Sequence, residues 1–383
     1  MDKDELRAWL RLSMTDGVGN DAARRLLACF GSPQGIFEQS EAVLRQVVTA
    51  QQAQALLVEP QDLIVQWVRT QHWLAHAPDN GKHAMWTLGD AQYPSELLQL
   101  ADPPLMLYVA GQTQAHMGSA IAVVGSRNPT PQGVQTAEQF GEALSAASLC
   151  VVSGLALGVD GAAHKGALKG RHQRTGSAGQ WSTVAVVGTG LDRVYPRQHQ
   201  ALAQDILLHG LLVSEYHLGT PPLGQNFPKR NRIIAALGLG TLVVEAALKS
   251  GSLITAKMAL DLGREVLAIP GSIHATQSHG CHALIREGAK LVENAQDVLE
   301  ELQLATPLQV RLFAEALDPD LSDAAHDAHP LLAHMGFAPV SLDALQARCD
   351  MDTASLQAQL LSFELEGFLA RLPGGLFQRL APN

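Results

Sequence analysis

The sequence predicts an α/β fold: an extended Rossmann-like, doubly wound, mostly parallel sheet, preceded by a helical segment and followed by a winged-helix-like one. Three observations carry this. Between Ala120 and Val292 seven short, nearly continuous apolar runs alternate with stretches of helical periodicity, the pattern of strands covered on both faces. Most of these runs end on small or polar residues, where a doubly wound sheet gathers its ligand. The charge is also uneven. The chain of 383 residues has a formal net charge of −10, yet residues 119–292 carry 15 Lys and Arg against 10 Asp and Glu. The segment before them has 8 against 13, and the segment after has 4 against 14. A basic centre between acidic flanks suits a phosphate-binding core despite the acidic total.

Residues 1–84 read as a helical domain. AWLRL, AARRLLACF, the run 41–57 and LIVQWVRTQHWLAH repeat apolar residues at three- and four-residue spacing. Asp16-Gly17-Val18-Gly19 is a turn between the first two helices; such a turn either offers amides to a DNA phosphate or, more commonly, just connects. From Trp86 to Ala110, Tyr93-Pro94 and Asp102-Pro103-Pro104 mark an irregular connector leading into the strand LMLYV.

The core is expected over 85–304. Its strands fall at 120–125, 149–154, 183–188, 211–215, 241–246, 265–270 and 290–292, with helices at 132–147, 160–168, 198–208, 230–237, 253–262 and 282–287. The polar, Gly-rich stretch 169–182 reads as a flexible surface insertion. Residues 305–328 read as a linker. From 329 to 383, three helices and a hairpin around Pro373-Gly374-Gly375 follow the order of a winged helix. Its recognition helix, 353–366, has few cations, so protein contact or a structural role suits it better than duplex DNA.

The stretch 226–251 organises the chain. Asn226 suits a helix cap and Pro228 the first turn. Lys229, Arg230 and Arg232 then crowd the positive end of a helix dipole, which is poor design unless an anion sits there. Phe227 beside them supplies a ring on which a base can stack. A solvated basic turn over a buried Phe is the alternative. Gly125-Ser126-Arg127 pairs close backbone approach with a hydroxyl and a guanidinium fork. Lys249-Ser250-Gly251-Ser252 opens another helix, where the serines bind phosphate or merely cap. Asp160 is either a cap or a ligand group, and Glu245 is placed to orient cations.

Sharper chemistries fail on spacing. No Walker sequence is present, Gly188-Thr189-Gly190-Leu191 lacks the third dinucleotide glycine, and no nucleophile elbow occurs. His279-Gly280-Cys281-His282 gathers ligands in one loop without a second pair, a weak metal signal. No catalytic residue, metal or cofactor is therefore expected. Cys29, Cys150, Cys281 and Cys349 are scattered, as in a reducing compartment. The acidic start lacks a signal-peptide core and no apolar run reaches membrane length, so a soluble cytoplasmic protein is expected, with no membrane partner.

Eight ordered blocks carry a family resemblance: VVGSRNPTPQG (123–133), SGLALGVDGAAHKGAL (153–168), VAVVGTGLDRVYP (184–196), SEY (214–216), NFPKRNRIIAAL (226–237), VVEAALKSGSLITAKMAL (243–260), GREVLAIPGS (263–272) and LIREGA (284–289). Together they resemble the bacterial DNA-processing protein A (DprA/Smf) family over about residues 85–300. The first domain resembles that family's sterile-alpha-motif-like domain and the last its winged-helix-like domain. The resemblance implies a protein without catalytic chemistry that binds single-stranded DNA in a Rossmann pocket, protects incoming strands in natural transformation, helps load the RecA recombinase, and forms a homodimer through the Rossmann domain. It puts Arg127, with Gly125 and Ser126, on a phosphate and Phe227 against a base. It puts Lys229, Arg230 and Arg232 along the backbone with Asn231 nearby, and Ser250, Gly251 and Ser252 at the pocket wall; Lys249, which precedes them, is a further DNA-binding candidate. Gln132 before Gly133, the long 169–182 loop and Cys281-His282 depart from the family pattern at the pocket rim. The rival readings are a phosphoribohydrolase-like enzyme, whose Pro-Gly-Gly-x-Gly-Thr motif Pro270-Gly271-Ser272 does not match, and a recombination scaffold with little DNA contact.

Overall fold

The computed structural model describes residues 2–77, 81–174, 179–304, 330–336, 339–349, 351–372 and 374–380. Six helices come first: α1 (Lys3–Met14), α2 (Asn20–Phe30), α3 (Pro33–Phe37), α4 (Glu41–Leu44), α5 (Ala50–Leu57) and α6 (Leu63–Ala75). The run 41–57 is thus two helices, not one. Thr49 caps α5 reciprocally with Gln52, and that capping box starts a new helix where periodicity alone reads straight through. Gly17 (φ +72°) turns the chain between α1 and α2, and Gly19 caps α2.

The nine-stranded sheet begins earlier than the sequence suggests. β1 (Lys82–Thr87) pairs antiparallel with β2 (Met106–Gly111), Lys82 opposite Gly111 and Thr87 opposite Met106. Residues read as helical domain and connector are therefore an edge strand, and the 84/85 division falls inside it. Lys82 and His83 hide this strand, because an edge needs no continuous apolar run. β3 (Ala120–Val124), α7 (Pro131–Ala146), β4 (Cys150–Ser153), α8 (Val159–Gly170), β5 (Thr183–Val186), α9 (Gln200–His209), β6 (Leu211–Ser214), α10 (Asn226–Leu237), β7 (Gly240–Val243), α11 (Ser252–Asp261), β8 (Glu265–Ala268), α12 (His279–Arg286), β9 (Lys290–Leu291) and α13 (Ala295–Glu301) follow. The order is β1-β2-β6-β5-β4-β3-β7-β8-β9, with β6 through β9 mutually parallel. The chain moves outward from β3 in one direction through β4, β5 and β6, then returns to its other side as β7. The switch lies at β3, where a crevice opens beyond the strand ends.

The helical segment packs on the sheet rather than apart from it. Trp73 stacks on His83 at 3.9 Å between centroids. Tyr108, fully buried, bonds through its hydroxyl to His217 Nδ1, and Ser13 Oγ meets His217 Nε2 at 3.3 Å. The 169–182 stretch is anchored where it is described. Arg174 donates to Ser145 O and Oγ, and buried Trp181 donates to Gln112 O. Its middle, 175–178, lies outside the described residues, as does the expected linker 305–328. The tail forms α14 (Pro330–Met335), β10 (Val340–Ser341), α15 (Leu342–Arg348), α16 (Thr353–Leu365), β11 (Leu369–Leu372) and β12 (Leu376–Arg379), the helices and wing of a winged helix around Leu345, Leu356 and Leu360. Among the described residues no helix is long and apolar enough to cross a membrane.

Candidate functional site

A cleft of about 340 Å³ opens beyond β3 and β4, between the starts of α10 and α11. From α10 it takes Phe227, Pro228, Arg230, Asn231 and Ile234. Positions 227, 230, 231 and 234 follow the i, i+3, i+4, i+7 rule, so one stripe of the helix faces the cleft. The opposite stripe carries Ile233 and Ala236 into the core. Asn226 is not the cap. It is the first helical residue, buried, and its amide donates to Gly188 O at 3.0 Å, tying the helix start to the end of β5.

The inner wall is satisfied from within. Arg230 is 3% exposed. Its Nη1 donates to Gly154 O and Val186 O, the carbonyls at the ends of β4 and β5, and its Nε donates to Asn231 Oδ1. The Asp160 carboxylate, buried in the first turn of α8, is its counter-charge and also accepts from Ala156 N. Gly154 permits this: a Cβ there would lie 2.5 Å from Arg230 and 2.6 Å from Asp160. Burial pushes the Arg230 guanidinium down to about 10, with Asp160 opposing; burial likewise pushes the Asp160 carboxyl up, with Arg230 opposing. Arg230 stays cationic at neutral pH.

The rim is different. Arg127 is exposed, has no ion pair within 4 Å among the described residues, and lies 5.5 Å from the centroid of the half-buried Phe227 ring. A guanidinium beside a ring face leaves its fork free for an oxyanion. Opposite, Ser250 Oγ and Ser252 Oγ are 2.7 Å apart, and Gly251 caps α11 without a side-chain bond.

The cleft thus gathers Gly125, Arg127, Phe227, Arg230, Asn231, Ser250, Gly251 and Ser252. Ser126, Lys229, Arg232 and Lys249 are not in its lining. Ser126 Oγ accepts from Asn128 N and shapes its own loop. Arg232 is buried, 2.6 Å from Glu215 and 3.6 Å from Asp102, and Lys229 stands 4.0 Å from the same Glu215. The anion that the crowded helix start calls for is therefore partly built in as Glu215, and Arg232 is spent on it. Lys229 and Lys249 remain exposed. Glu245 does not orient cations either. Its carboxylate accepts from Thr130 N at 2.9 Å and Thr130 Oγ1 at 2.6 Å. Ile254 and Thr255 on α11 were missed as lining; they fall one helical turn beyond Ser250 and Gly251. His279 and His282 bond to main-chain oxygens, and Cys281 is buried. No metal-holding cluster occurs among the described residues.

Fold and cleft together define a class: an extended Rossmann-type protein with a basic crevice at its sheet switch point, joined to a winged helix. The chain belongs to the DNA recombination-mediator protein A family, whose model matches residues 84–303, and the DprA winged helix domain matches residues 315–375. It is 39% identical over 371 residues to Protein Smf of Escherichia coli, covering 96% of this chain and 94% of that protein. To DNA processing protein DprA of Streptococcus pneumoniae it is 44% identical over 222 residues, 58% of this chain and 75% of that one. The crystal structure of DNA processing protein A from S. pneumoniae aligns with a TM-score of 0.63 at 35% identity, over 79% of this chain and 98% of that one.

Proposed function

We propose that this protein is a recombination mediator that binds single-stranded DNA, without sequence preference, in the cleft beyond β3 and β4. The observation that carries the reading is the rim pair: an exposed Arg127 guanidinium beside the Phe227 ring. A phosphate takes the guanidinium fork and a base takes the ring, and neither contact reads sequence. Membership of a DNA recombination-mediator family supports the same ligand. In this reading Arg127 is the principal phosphate contact. Ser250, Gly251 and Ser252 form the far wall, Lys229 and Lys249 lie along the exit, and Arg230, held by Asp160 and beside Asn231, forms a fixed polar floor.

The protein acts by binding rather than by chemistry. It protects incoming strands in the cytoplasm during natural transformation and helps load RecA, working as a dimer through the Rossmann domain. Its working units are the N-terminal helical domain, which ends before β1, the Rossmann domain from β1 to residue 304 and the winged helix over 329–383, which meets protein rather than duplex.

The test is fluorescence anisotropy with labelled oligo-dT and a duplex of equal length at two salt concentrations. The expected result is tight binding of the single strand, falling with a log–log salt slope of about −0.7 per phosphate engaged, and weak duplex binding. Absence of single-strand binding at low salt overturns the reading. The loading role is tested by RecA strand exchange on DNA pre-coated with a single-strand-binding protein; no stimulation removes that part alone.

A further inference from the structure

We infer that Tyr195 is a second DNA-contacting ring, which carries the strand out of the cleft past Phe227 and over the β5–α9 loop. The inference rests on the single-strand reading above and extends it to a residue outside the cleft lining. Tyr195 is 46% exposed, and its ring centroid lies 5.6 Å from that of Phe227, with the planes tilted by 39°. Among the described residues its hydroxyl makes no hydrogen bond.

The geometry decides how bases could use the pair. A base sandwiched between two rings needs parallel planes about 7 Å apart, twice the contact distance of about 3.5 Å. Rings at 5.6 Å and 39° leave no such slot. Each ring therefore offers its open face to a different base, and the strand turns between them. Base–aromatic stacking tolerates any sequence, because every base has a π-face.

The first residues of the loop, ahead of Tyr195, are pinned to neighbouring segments. Gly188 lies under Phe227, where a Cβ would come within 3.1 Å of that ring. Ser214 Oγ donates to Thr189 O, Asn226 Nδ2 donates to Gly188 O, and Asp192 Oδ1 accepts from Gly219 N. Arg197, two residues beyond Tyr195, is exposed and without an ion pair among the described residues. Arg127 thus flanks the Phe227 ring, Tyr195 neighbours that ring, and Arg197 follows two residues on in the chain, so each ring has a cation close to it in space or in sequence. The failed dinucleotide fingerprint of the β5 loop finds a use here: Gly188 leaves room for the Phe227 ring, and Gly190 lets the chain pass close to Asp192 and the His217 carbonyl.

The test uses the full chain and an oligo-dT carrying one 5-iododeoxyuridine at successive positions. Photocrosslinks mapped by mass spectrometry are expected on Tyr195 and Phe227 from different nucleotides. Tyr195→Ala is expected to weaken oligo-dT binding by about five- to a hundredfold with an unchanged melting temperature, and Tyr195→Phe to stay within about twofold of the wild type, because only the ring face is used. Arg127→Ala separates the two claims. If the wild type binds and Arg127→Ala weakens it, but Tyr195→Ala binds normally and no crosslink forms at Tyr195, this inference is overturned and the single-strand reading stands. If Tyr195→Ala weakens binding only when Phe227 is present, again with no crosslink, Tyr195 merely props Phe227 and the contact is overturned. A wild type that binds no single strand removes both.

Discussion

Two clefts of the same size, about 340 Å³ each, open at the strand ends of this sheet, and they differ in charge. The first, beyond β3 and β4, holds Arg127 and Arg230 with Asp160. The second, beyond β7 and β8, holds Glu245 among Thr130, Gln132, Pro270 and Ser278, and no Lys or Arg lines it among the described residues. Volume alone therefore does not mark the site. A phosphate entering the second cleft would lose its hydration and meet a carboxylate, whereas at the first it meets a free guanidinium. The second cleft nevertheless serves the first. Glu245 holds Thr130 with its carboxylate, and its main-chain oxygen accepts from Ser126 N at 2.6 Å. It clamps both ends of the loop that carries Arg127.

The largest expected effect breaks the first cleft itself. Asp160→Ala leaves the Arg230 guanidinium buried without its counter-charge, which should cost on the order of 3 kcal/mol of stability, read by urea denaturation. A change below about 1 kcal/mol would mean that the main-chain carbonyls alone satisfy Arg230. Arg127→Ala should leave stability within about 0.5 kcal/mol, since the residue is exposed, yet weaken single-strand binding by about ten- to a hundredfold and make the salt slope shallower. Unchanged binding with an intact circular dichroism spectrum would remove Arg127 from the site.

Acid should act with opposite sign on the buried histidine behind the first cleft and on the buried carboxyls, Asp160 in the first cleft and Glu245 in the second. His164, fully buried behind the first cleft, bonds through Nδ1 to Thr183 Oγ1. Burial, then the nearby His199 and Arg230, push it down to about 3. Its contribution is complete above the unfolded value near 6.5 and is lost as pH falls toward 3, about 2 kcal/mol by pH 5. Glu245 moves the other way. Burial raises its carboxyl against the Thr130 bonds, so its contribution is full below the ordinary carboxylate value and is lost as pH rises through the raised one. Melting temperatures from pH 7.5 to 5 should fall with acid in the wild type, because His217, which burial holds down to about 4, acts in the same direction as His164. A flat profile would mean that the two buried histidines do not outweigh the raised Asp160 and Glu245 carboxyls, which gain stability as pH falls.

Much of this was legible in the sequence, and the failures have physical causes. The buried strands announce themselves because both faces are covered, and in the nine-stranded sheet the edge strand β1, with Lys82 and His83, escapes the pattern, as does the two-residue β10 in the tail. The residue types of the site were legible too: Arg127, Phe227, Arg230, Asn231 and the Ser250–Ser252 turn meet at one cleft. What the sequence obscured was partnership. Arg230 and Arg232 look alike as neighbours in a basic run, but two residues on a helix stand about 200° apart, so they cannot share a face. Periodicity already separates them; that Glu215 and Asp102 await Arg232 on the far side depends on contacts between distant segments, which no local pattern contains.

The smallest expected effect is the one that tests the division between the clefts most directly. Glu245→Gln keeps the size and one acceptor oxygen but turns an amide toward the Thr130 donors, so one of two good bonds is lost. Stability should drop by about 1–2 kcal/mol. Single-strand affinity should change by less than about threefold, because the main-chain bond from Ser126 N to residue 245 survives and Arg127 keeps its place. If Glu245→Gln instead tightened binding tenfold, the carboxylate would have been repelling DNA in its own cleft, and the strand would have to run through both. If it abolished binding with the fold intact, the loop clamp would matter more than the cation it carries. A small effect leaves charge at the rim, rather than cavity volume, as what distinguishes the two clefts.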